Sequence, residues 1–284
     1  MHLILIDGSG FLHRAFHSAP KNMVRSDGAT IGGINSFCSM LWRLCGKFGH
    51  ATHMAVIGDA GGKTWRHDID QNYKGNRKPR EPELLAQLAM VEGAVRAFGL
   101  PFIARAGVEA DDLIGTYAAQ WPGLTTVVSS DKDLMQLITD RIVQFEPRDE
   151  RFIRAPEVVA KFGVEPHQMV DYLAMVGDAS DNIKGVPSIG EKTASALLAA
   201  YGSIDGIYAN FEKLNPRQER LFIEHEIQLA LAVKLVTLDR DVKGLPDPAG
   251  FAWQRDRDYR DLAAYCRSNE MESLARRVEE DWHQ

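Results

Sequence analysis

The sequence predicts an α/β fold, in which a mostly parallel twisted sheet flanked by helices is followed by a helical region with a helix-hairpin-helix motif. Short apolar runs recur in the first half of the chain, and each ends at a Gly or Asp residue or a pair of serines. Helical patterns separate these runs. Helical patterns then dominate from about residue 156, with no strong strand expected after Val143. Alternating strands and helices are typical of a layered α/β domain.

The apolar runs resemble buried parallel strands. They cover residues 2–6, 53–57 and 124–128 and are continuous rather than alternating, as expected for strands that helices cover on both faces. The helical stretches between them cover 34–48, 82–98 and 111–120. This order predicts a doubly wound sheet, whose ligands bind beyond the carboxyl ends of the strands.

The second half is predicted to be helical over residues 156–162, 167–176, 191–201 and 216–238. We therefore expect two regions. Residues 1–165 form an α/β core with a basic segment at about 63–90. Residues 166–284 form a helical region that includes the C-terminal tail.

Composition narrows the class of protein. The 284 residues are 45% hydrophobic and 25% charged, which is ordinary for a globular protein. No apolar run reaches the roughly 18–20 residues that a membrane span needs. Three cysteines without metal-site spacing exclude a disulfide scaffold and favour a cytoplasmic location. The net charge of −6 argues mildly against nucleic acid, unless acids and bases are segregated.

The acidic residues follow a pattern. Asp7, Asp59 and Asp131 each lie within three residues of the end of a predicted strand. Parallel strands bring such positions to one edge of the sheet. Further acids stand nearby in the sequence or in later loops: Glu109, Asp111, Asp112, Asp133, Asp178 and Asp181.

Any one of these aspartates could simply cap a helix. Capping does not account for acids after three strand ends together with acid pairs in loops. Clustered carboxylates repel one another unless cations neutralise them, and oxygen ligands without His or Cys suit Mg²⁺ or Mn²⁺. Two such ions are a known device for in-line phosphodiester cleavage.

Basic residues concentrate in the segment that follows Asp59. Residues 63–80 contain six Lys or Arg against two Asp. Gly75 and Pro79 predict a mobile loop or a broken helix rather than one rigid helix. A solvated charged face is an equally simple interpretation, but a positive flap above a carboxylate cluster would trap phosphate.

Residues 185–194 form a Gly-x-x-x-x-Gly turn that leads into a helix. Such a turn can direct backbone amides at an anion. It lacks the Gly-Lys-Ser/Thr of a P-loop. A helix-hairpin-helix contact with a DNA backbone fits the residues better.

Seven motifs together resemble the 5′ nuclease (flap endonuclease) family, and most of all its 5′→3′ exonuclease domains in bacterial DNA polymerases I. The resemblance runs from residue 1 to about 240. The motifs are Asp7-Gly8, Asp59–Arg66, Tyr73–Arg77, Gly107–Asp112, Ser130–Asp133, Gly177–Asn182 and Gly190–Ala194. No polymerase follows them in this sequence, so we expect a free-standing nuclease or an excised domain.

The resemblance implies roles for individual residues. Nine acids would surround two Mg²⁺ or Mn²⁺ ions: Asp7, Asp59, Glu109, Asp111, Asp112, Asp131, Asp133, Asp178 and Asp181. Tyr73, Lys74 and Arg77 would form the catalytic part of the family's helical arch. DNA would be contacted by Arg14, Lys63, Arg66, Lys78, Gly185, Val186, Ser188, Ile189, Gly190, Lys192 and Thr193, with K⁺ at the hairpin.

The expected activity is that of a structure-selective 5′→3′ exonuclease or flap endonuclease with two metal ions. Expected partners are DNA with a 5′ flap or 5′ end and a separate DNA polymerase. We expect a monomer without a membrane partner, associated with the nucleoid if bacterial. Two alternatives stay open: a catalytically weak DNA-junction binding protein, and a 5′ nuclease directed at RNA/DNA hybrids.

Overall fold

A six-stranded sheet forms the centre of the first half. The structure is a computed structural model that describes residues 1–20, 22–254 and 257–282. The strands lie in the order β3-β2-β1-β4-β5-β6, and all are parallel except β6. They are β1 His2–Asp7, β2 His53–Ile57, β3 Phe102–Ile103, β4 Leu124–Val128, β5 Ile142–Glu146 and β6 Arg151–Ile153. The predicted mostly parallel sheet is confirmed.

Helices cover both faces of this sheet. They are α1 Gly8–Ser18, α2 Gly32–Lys47, α3 Trp65–Ile69, α4 Pro82–Ala97 and α5 Ala110–Gln120. Successive residues of β1 point to opposite faces. Ile4 and Ile6 pack in the core with α1, α2 and α4, whereas Leu3 and Leu5 pack in the core with α5. Burial on both faces explains why the strands are continuously apolar.

The second half is mainly helical. Its helices and short strands are α6 Ala155–Phe162, α7 Met169–Val176, β7 Gly177–Asp178, β8 Ile183–Lys184, α8 Glu191–Tyr201, α9 Ile204–Ala209, α10 Pro216–Glu224 and α11 Glu226–Val236. The helix predicted over 216–238 is two helices that meet at His225. The break lets α10 bury Phe222 and α11 bury Leu229 in the same core.

A strand pair was missed beyond Val143. β5 continues to Glu146, and β6 returns antiparallel beside it. The connection is strongly charged and β6 has only three residues, so the sequence shows no strand pattern there. Tertiary contact holds the pair in place: the rings of Phe145 and Phe152 lie 5.2 Å apart, and Phe145 also meets Phe48 at 5.3 Å.

The chain returns to the first half at its end. The helices α12 Arg260–Ser268 and α13 Glu272–Trp282 bury Leu262, Cys266 and Leu274 in the core that α1, α2 and α4 share. The Tyr265 hydroxyl donates a hydrogen bond to the carbonyl of Met90 in α4 at 3.0 Å. The last two helices therefore pack on the α/β part, whereas the sequence predicted them within the helical region 166–284. No helix in the described ranges is long and apolar enough to cross a membrane.

Candidate active site

Three strand-end aspartates meet at one edge of the sheet. Ile6 of β1 is paired with Val56 of β2 and Val128 of β4, so the residues that follow the three strands lie side by side. Asp7 accepts hydrogen bonds from the Gly10 amide at 2.8 Å and the Ser129 hydroxyl at 2.9 Å. The Asp59 carboxylate accepts from the Ala110 amide at 2.9 Å, and Asp131 from the Asp133 amide at 2.9 Å.

The start of α5 adds two further acids to the same edge. Glu109 is the residue before α5, and Asp111 lies in its first turn. The bond from the Ala110 amide to Asp59 ties this helix start to the end of β2. Glu109 is 7% exposed and accepts hydrogen bonds from the Tyr73 hydroxyl and the Lys74 amine.

A second group of acids comes from the loop between β7 and β8. Asp178 and Asp181 are 6% and 8% exposed. The Tyr73 hydroxyl lies 3.0 Å from a carboxylate oxygen of both Asp181 and Glu109 and shares its one proton between them, which links this loop to α5. Lys132 pairs with Asp178, and its Nζ lies 3.6 Å from Oδ1 of Asp133.

Crowding changes the acidity of several of these groups. Burial, with the nearby charges of Asp131 and Asp59, raises the pKa of Asp7 to about 6. Burial and its carboxylate neighbours raise the pKa of Asp111 well above its usual range and that of Asp133 to about 7. Burial works in the same direction at Asp178, but hydrogen bonds from Lys132 and Ser180 outweigh it and lower the pKa. A bound cation would relieve the repulsion.

The carboxylates are suited to a hard divalent cation. All the donors are oxygens, and Oδ1 of Asp133 is buried without a hydrogen-bond partner among the described residues. In the described ranges, no three His, Cys, Asp or Glu side chains converge closely enough to hold an ion as they stand. The acids accept hydrogen bonds from backbone amides, Ser129 and basic side chains, and the carboxylates have to move closer together before they hold an ion.

Asp112 has a different role from the other acids. It is fully buried, and Arg66 donates to it through two hydrogen bonds of 2.8 Å each. The Trp65 indole and the Asp239 amide also donate to it. Its oxygens are thus occupied by donors. The same Arg66 nitrogen also lies 3.4 Å from Glu109, so a guanidinium stands between Asp112 and the site.

The expectation that Arg66 contacts DNA is corrected. Its side chain is 1% exposed, because α3, α5 and the end of α11 enclose it. Besides Asp112, it donates to the carbonyls of Leu235 at 2.7 Å and Thr237 at 3.0 Å. Arg66 therefore ties α3 and α5 to the helical half.

The basic segment lies over the acidic edge as a short helix and a turn. Lys74 adopts a left-handed conformation with φ of 55°, and its amine lies 2.9 Å from Glu109 and 3.6 Å from Asp181. Arg77 pairs with Asp181 at 2.5 Å. Tyr73 is buried, so its hydroxyl positions Glu109 and Asp181 and is not open to solvent. Lys63 and Lys78 are exposed.

These basic and acidic residues enclose one pocket. It has a volume of about 640 Å³. Its acidic lining comprises Asp7, Asp59, Glu81, Glu109, Asp111, Asp131 and Asp181, and its basic lining Lys74, Arg77, Lys78 and Arg80. Asp133 and Asp178 stand outside this lining, on the side of Lys132.

Arg14 lies on the other side of α1. It pairs with Glu146 at 3.3 Å and lines a larger groove of about 1180 Å³. Arg43, Lys47, Arg148 and Lys161 line the same groove, which gives it a positive excess.

The turn at 185–194 places its residues in two environments. Val186 and Ile189 are buried in the helical core, whereas Ser188, Gly190 and Lys192 are exposed and Thr193 is partly buried. The buried side chains of Val186 and Ile189 cannot contact DNA, and their amides already donate to the carbonyls of Met175 at 2.8 Å and Val186 at 3.0 Å. A Cβ on Gly185 would lie 2.3 Å from the carbonyl carbon of Val176, so Gly185 is required for packing. Gly190 precedes α8, and a Cβ there would meet open space.

The sequence reasoning missed two residues at this site. Ser129 donates to Asp7, and Lys132 pairs with Asp178. Both lie beside the aspartates that follow β4. The position of Lys132 between two predicted site aspartates could have identified it as a site residue.

Two family models match the chain in succession. The first, described as 5′-3′ exonuclease, N-terminal resolvase-like domain, matches residues 2–163. The second, 5′-3′ exonuclease, C-terminal SAM fold, matches residues 164–257. The first model alone covers more than half of the chain.

Curated relatives agree with these models. A 5′-3′ exonuclease of Aquifex aeolicus (strain VF5) is 34% identical, over 84% of this chain and 82% of that protein. DNA polymerase I of Rhizobium leguminosarum is 39% identical, over 98% of this chain but 28% of the polymerase. The chain therefore spans a little over a quarter of that polymerase.

Solved structures share the fold. A bacteriophage T5 5′-exonuclease with bound zinc gives a TM-score of 0.72 at 22% identity, covering 84% of this chain and 90% of that one. A bacteriophage T5 flap endonuclease in complex with DNA and metal ions gives 0.68 at 21% identity, covering 100% of both chains.

Proposed function

The chain belongs to the 5′-3′ exonuclease family, and from this premise we propose that it is a metal-dependent nuclease selective for DNA structure. It would hydrolyse phosphodiester bonds near 5′ ends and at 5′ flaps. The observation that carries the proposal is the row of carboxylates at one sheet edge, beneath a basic segment. An acidic site covered by positive charge is suited to phosphate that arrives with divalent cations.

The acids divide into two groups that would hold two Mg²⁺ or Mn²⁺ ions. Asp7, Asp59, Glu109, Asp111 and Asp131 form the inner group, and Asp133, Asp178 and Asp181 the outer group. Asp131 adjoins both, because its charge acts on Asp7 and on Asp133. When bound, such ions supply an activated water and stabilise the departing oxygen.

The chain's own residues position and compensate this site. Tyr73 holds Glu109 and Asp181 at a fixed separation through one hydroxyl. Lys74 and Arg77 bring positive charge to the rim of the pocket, where charge builds on a phosphate during hydrolysis. The burial of Tyr73 supports a positioning role for it.

DNA binding would rest on the phosphate backbone and not on base sequence. The positive groove beside α1 and the exposed turn at 188–192 are separate surfaces that could follow a duplex. Exposed backbone amides before α8 could donate to phosphate, and carbonyl oxygens of the same turn would hold a K⁺ that also meets phosphate. A DNA polymerase is the proposed functional partner, since the DNA polymerase I relative contains a matching region.

A cleavage assay on a 5′-labelled flap, with Mg²⁺ or with EDTA, tests the function. We expect cleavage near the junction in Mg²⁺ and none in EDTA. Tight binding without cleavage in Mg²⁺ or Mn²⁺ would instead indicate a junction-binding protein. Faster cleavage when the 5′ strand is RNA paired to DNA would indicate a hybrid-directed nuclease.

A further inference from the structure

Lys132 occupies an unusual place inside the acidic site. It follows β4 between Asp131 and Asp133, and its amine pairs with Asp178 across the site. The same Nζ lies 3.6 Å from the buried Oδ1 of Asp133. The side chain remains 36% exposed, so its amine can leave the carboxylates without disturbing the core.

The inner and outer acids differ in how their charge is compensated. Of the five inner acids, Glu109 pairs with Lys74 at 2.9 Å and with Arg66 at 3.4 Å. In the described part of the chain, the other four, Asp7, Asp59, Asp111 and Asp131, form no ion pair with Lys or Arg. Two of the outer acids form close ion pairs, Asp178 with Lys132 and Asp181 with Arg77, and Lys132 lies near the third, Asp133. The outer group therefore already contains part of the positive charge that a divalent ion would supply.

We propose that Lys132 is a built-in counter-ion of Asp133 and Asp178, which a divalent ion has to displace in order to bind the outer carboxylates. This inference rests on the proposed function and adds a determinant of metal affinity to the same site. Lys132 stabilises the outer carboxylates when no metal is bound. It also competes with the second ion, because an ammonium group repels a doubly charged cation.

The neighbouring contacts support displacement. Ser180 donates to the other oxygen of Asp178 through its amide at 2.7 Å and its hydroxyl at 2.6 Å, so Asp178 stays oriented when Lys132 leaves. The Oδ1 of Asp133 has no hydrogen-bond donor among the described residues and is available as a ligand. Lys132 acts on the metal through the acids and is a positioning residue.

Titration of the 284-residue chain with Mn²⁺, without DNA, tests the inference by calorimetry. The wild type is expected to bind two ions with different affinities. Lys132→Met is expected to bind the weaker ion about tenfold more tightly, because a nearby positive charge has been removed. Lys132→Gln keeps a polar side chain and should show the same tightening. Lys132→Arg should stay close to the wild type.

Lys213→Met is the matched control, because Lys213 is an exposed lysine between α9 and α10 that lines neither the acidic pocket nor the positive groove. It should leave both Mn²⁺ affinities unchanged. Thermal unfolding in EDTA gives a second readout: Lys132→Met should melt at a lower temperature than the wild type, and Mn²⁺ should raise its melting temperature by more.

The two proposals fail in different ways. If the wild type binds no Mn²⁺, the metal-dependent function fails and this inference fails with it. If the wild type binds Mn²⁺ but the weaker affinity is unchanged or reduced in both Lys132→Met and Lys132→Gln, the role of Lys132 alone is overturned. Equal tightening in Lys213→Met would overturn it as well, since the effect would be one of net charge.

Discussion

Asp7 ends the central strand and is held by one amide and one hydroxyl, Gly10 and Ser129. These neutral donors fix its direction without cancelling its charge. Asp131 is likewise fixed by the amide of Asp133. Both carboxylates thus remain available to a cation, which is the arrangement that a metal ligand needs.

Asp7→Asn and Asp131→Asn should each abolish cleavage, while DNA binding survives or tightens because less negative charge faces the phosphate. Single-turnover cleavage of a 5′ flap at saturating Mg²⁺ and affinity measured by fluorescence anisotropy check the two effects. Asp140→Asn, in an exposed loop, is the control and should behave as the wild type. Turnover near the wild-type rate in either site variant would show that the metal site is misplaced.

Asp112 illustrates the opposite role of an acid. Its charge is buried and paired with Arg66, so removing it leaves the buried guanidinium with only the longer contact to Glu109 at 3.4 Å. Breaking a buried pair in this way typically costs about 3–5 kcal/mol.

Asp112→Asn should therefore lower the free energy of unfolding by about 3 kcal/mol. Asp7→Asn should leave it unchanged or raise it, since repulsion with Asp59 and Asp131 disappears. Urea unfolding in EDTA measures both. A stability loss in Asp7→Asn as large as that in Asp112→Asn would contradict the division into structural and metal-facing acids.

At the scale of the element, the basic segment is a turn fastened to the acids it covers. The Lys74 amide donates to the Asp181 carbonyl at 2.9 Å, and Asn76 donates to the carbonyl of Ala179 at 2.6 Å. These contacts join residues 72–77 to the loop of the outer acids. The turn and the outer acids should therefore respond together when a phosphate binds.

Lys74→Ala and Arg77→Ala should lower the single-turnover rate by about 10²–10³, and duplex affinity far less. Each residue is expected to meet the phosphate mainly as charge develops in the transition state. Lys78→Ala is the matched comparison, because Lys78 is exposed on the same segment and should change affinity rather than rate. If Lys74→Ala and Arg77→Ala weaken DNA affinity but leave the cleavage rate unchanged, these residues only attract DNA to the site.

The turn before α8 separates a packing glycine from an open one. Gly190 has a φ of −94°, which any residue can adopt, whereas Ser188 has a positive φ of 65°. A side chain at Gly190 projects into open space and should not disturb the fold. At Gly185, by contrast, the neighbouring backbone leaves no room for a side chain.

Gly190→Val should weaken binding to flaps with a long downstream duplex, because the side chain would crowd an approaching backbone. Cleavage should recover at high enzyme concentration. Lys192→Ala should act more mildly and flatten the salt dependence by about one phosphate contact, a slope change of roughly 0.9. If Gly190→Val weakens binding to a flap with a trimmed downstream duplex equally, the turn stabilises the fold and does not contact the DNA.

At the scale of the whole molecule, the two halves share one site. Arg66 donates to the carbonyls at the end of α11, and the Gln136 amide donates to the carbonyl of Val236 at 3.0 Å. The inner acids come from the sheet half, whereas Asp178 and Asp181 come from the helical half. Two bound metal ions would therefore take carboxylate ligands from both halves.

Mg²⁺ should stabilise the whole chain and raise its single unfolding transition. At a free concentration of about 100 times Kd, binding to the folded state alone adds about 2.7 kcal/mol. Differential scanning calorimetry in Mg²⁺ and in EDTA measures the shift, and Asp7→Asn and Asp178→Asn should each reduce it. A shift confined to one of two separate transitions would show that the halves unfold independently.

The sequence alone determined the layout of the molecule. Strand runs at 53–57 and 124–128 match the structure at both ends, because continuous apolar burial leaves a strong local pattern. The strand-end positions of Asp7, Asp59 and Asp131 also predicted their meeting, since parallel strands align their carboxyl ends. Family motifs added the outer acids and the basic turn.

Only the tertiary structure decided which charges face the pocket. Arg66 and Lys74 lie eight positions apart in one basic segment, yet Arg66 is enclosed by an α11 end about 170 residues away and Lys74 reaches Glu109. The break at His225 and the return of α12 and α13 to the first half likewise depend on distant partners. Local sequence records the charge of a residue, whereas its burial is set by what the rest of the chain packs around it.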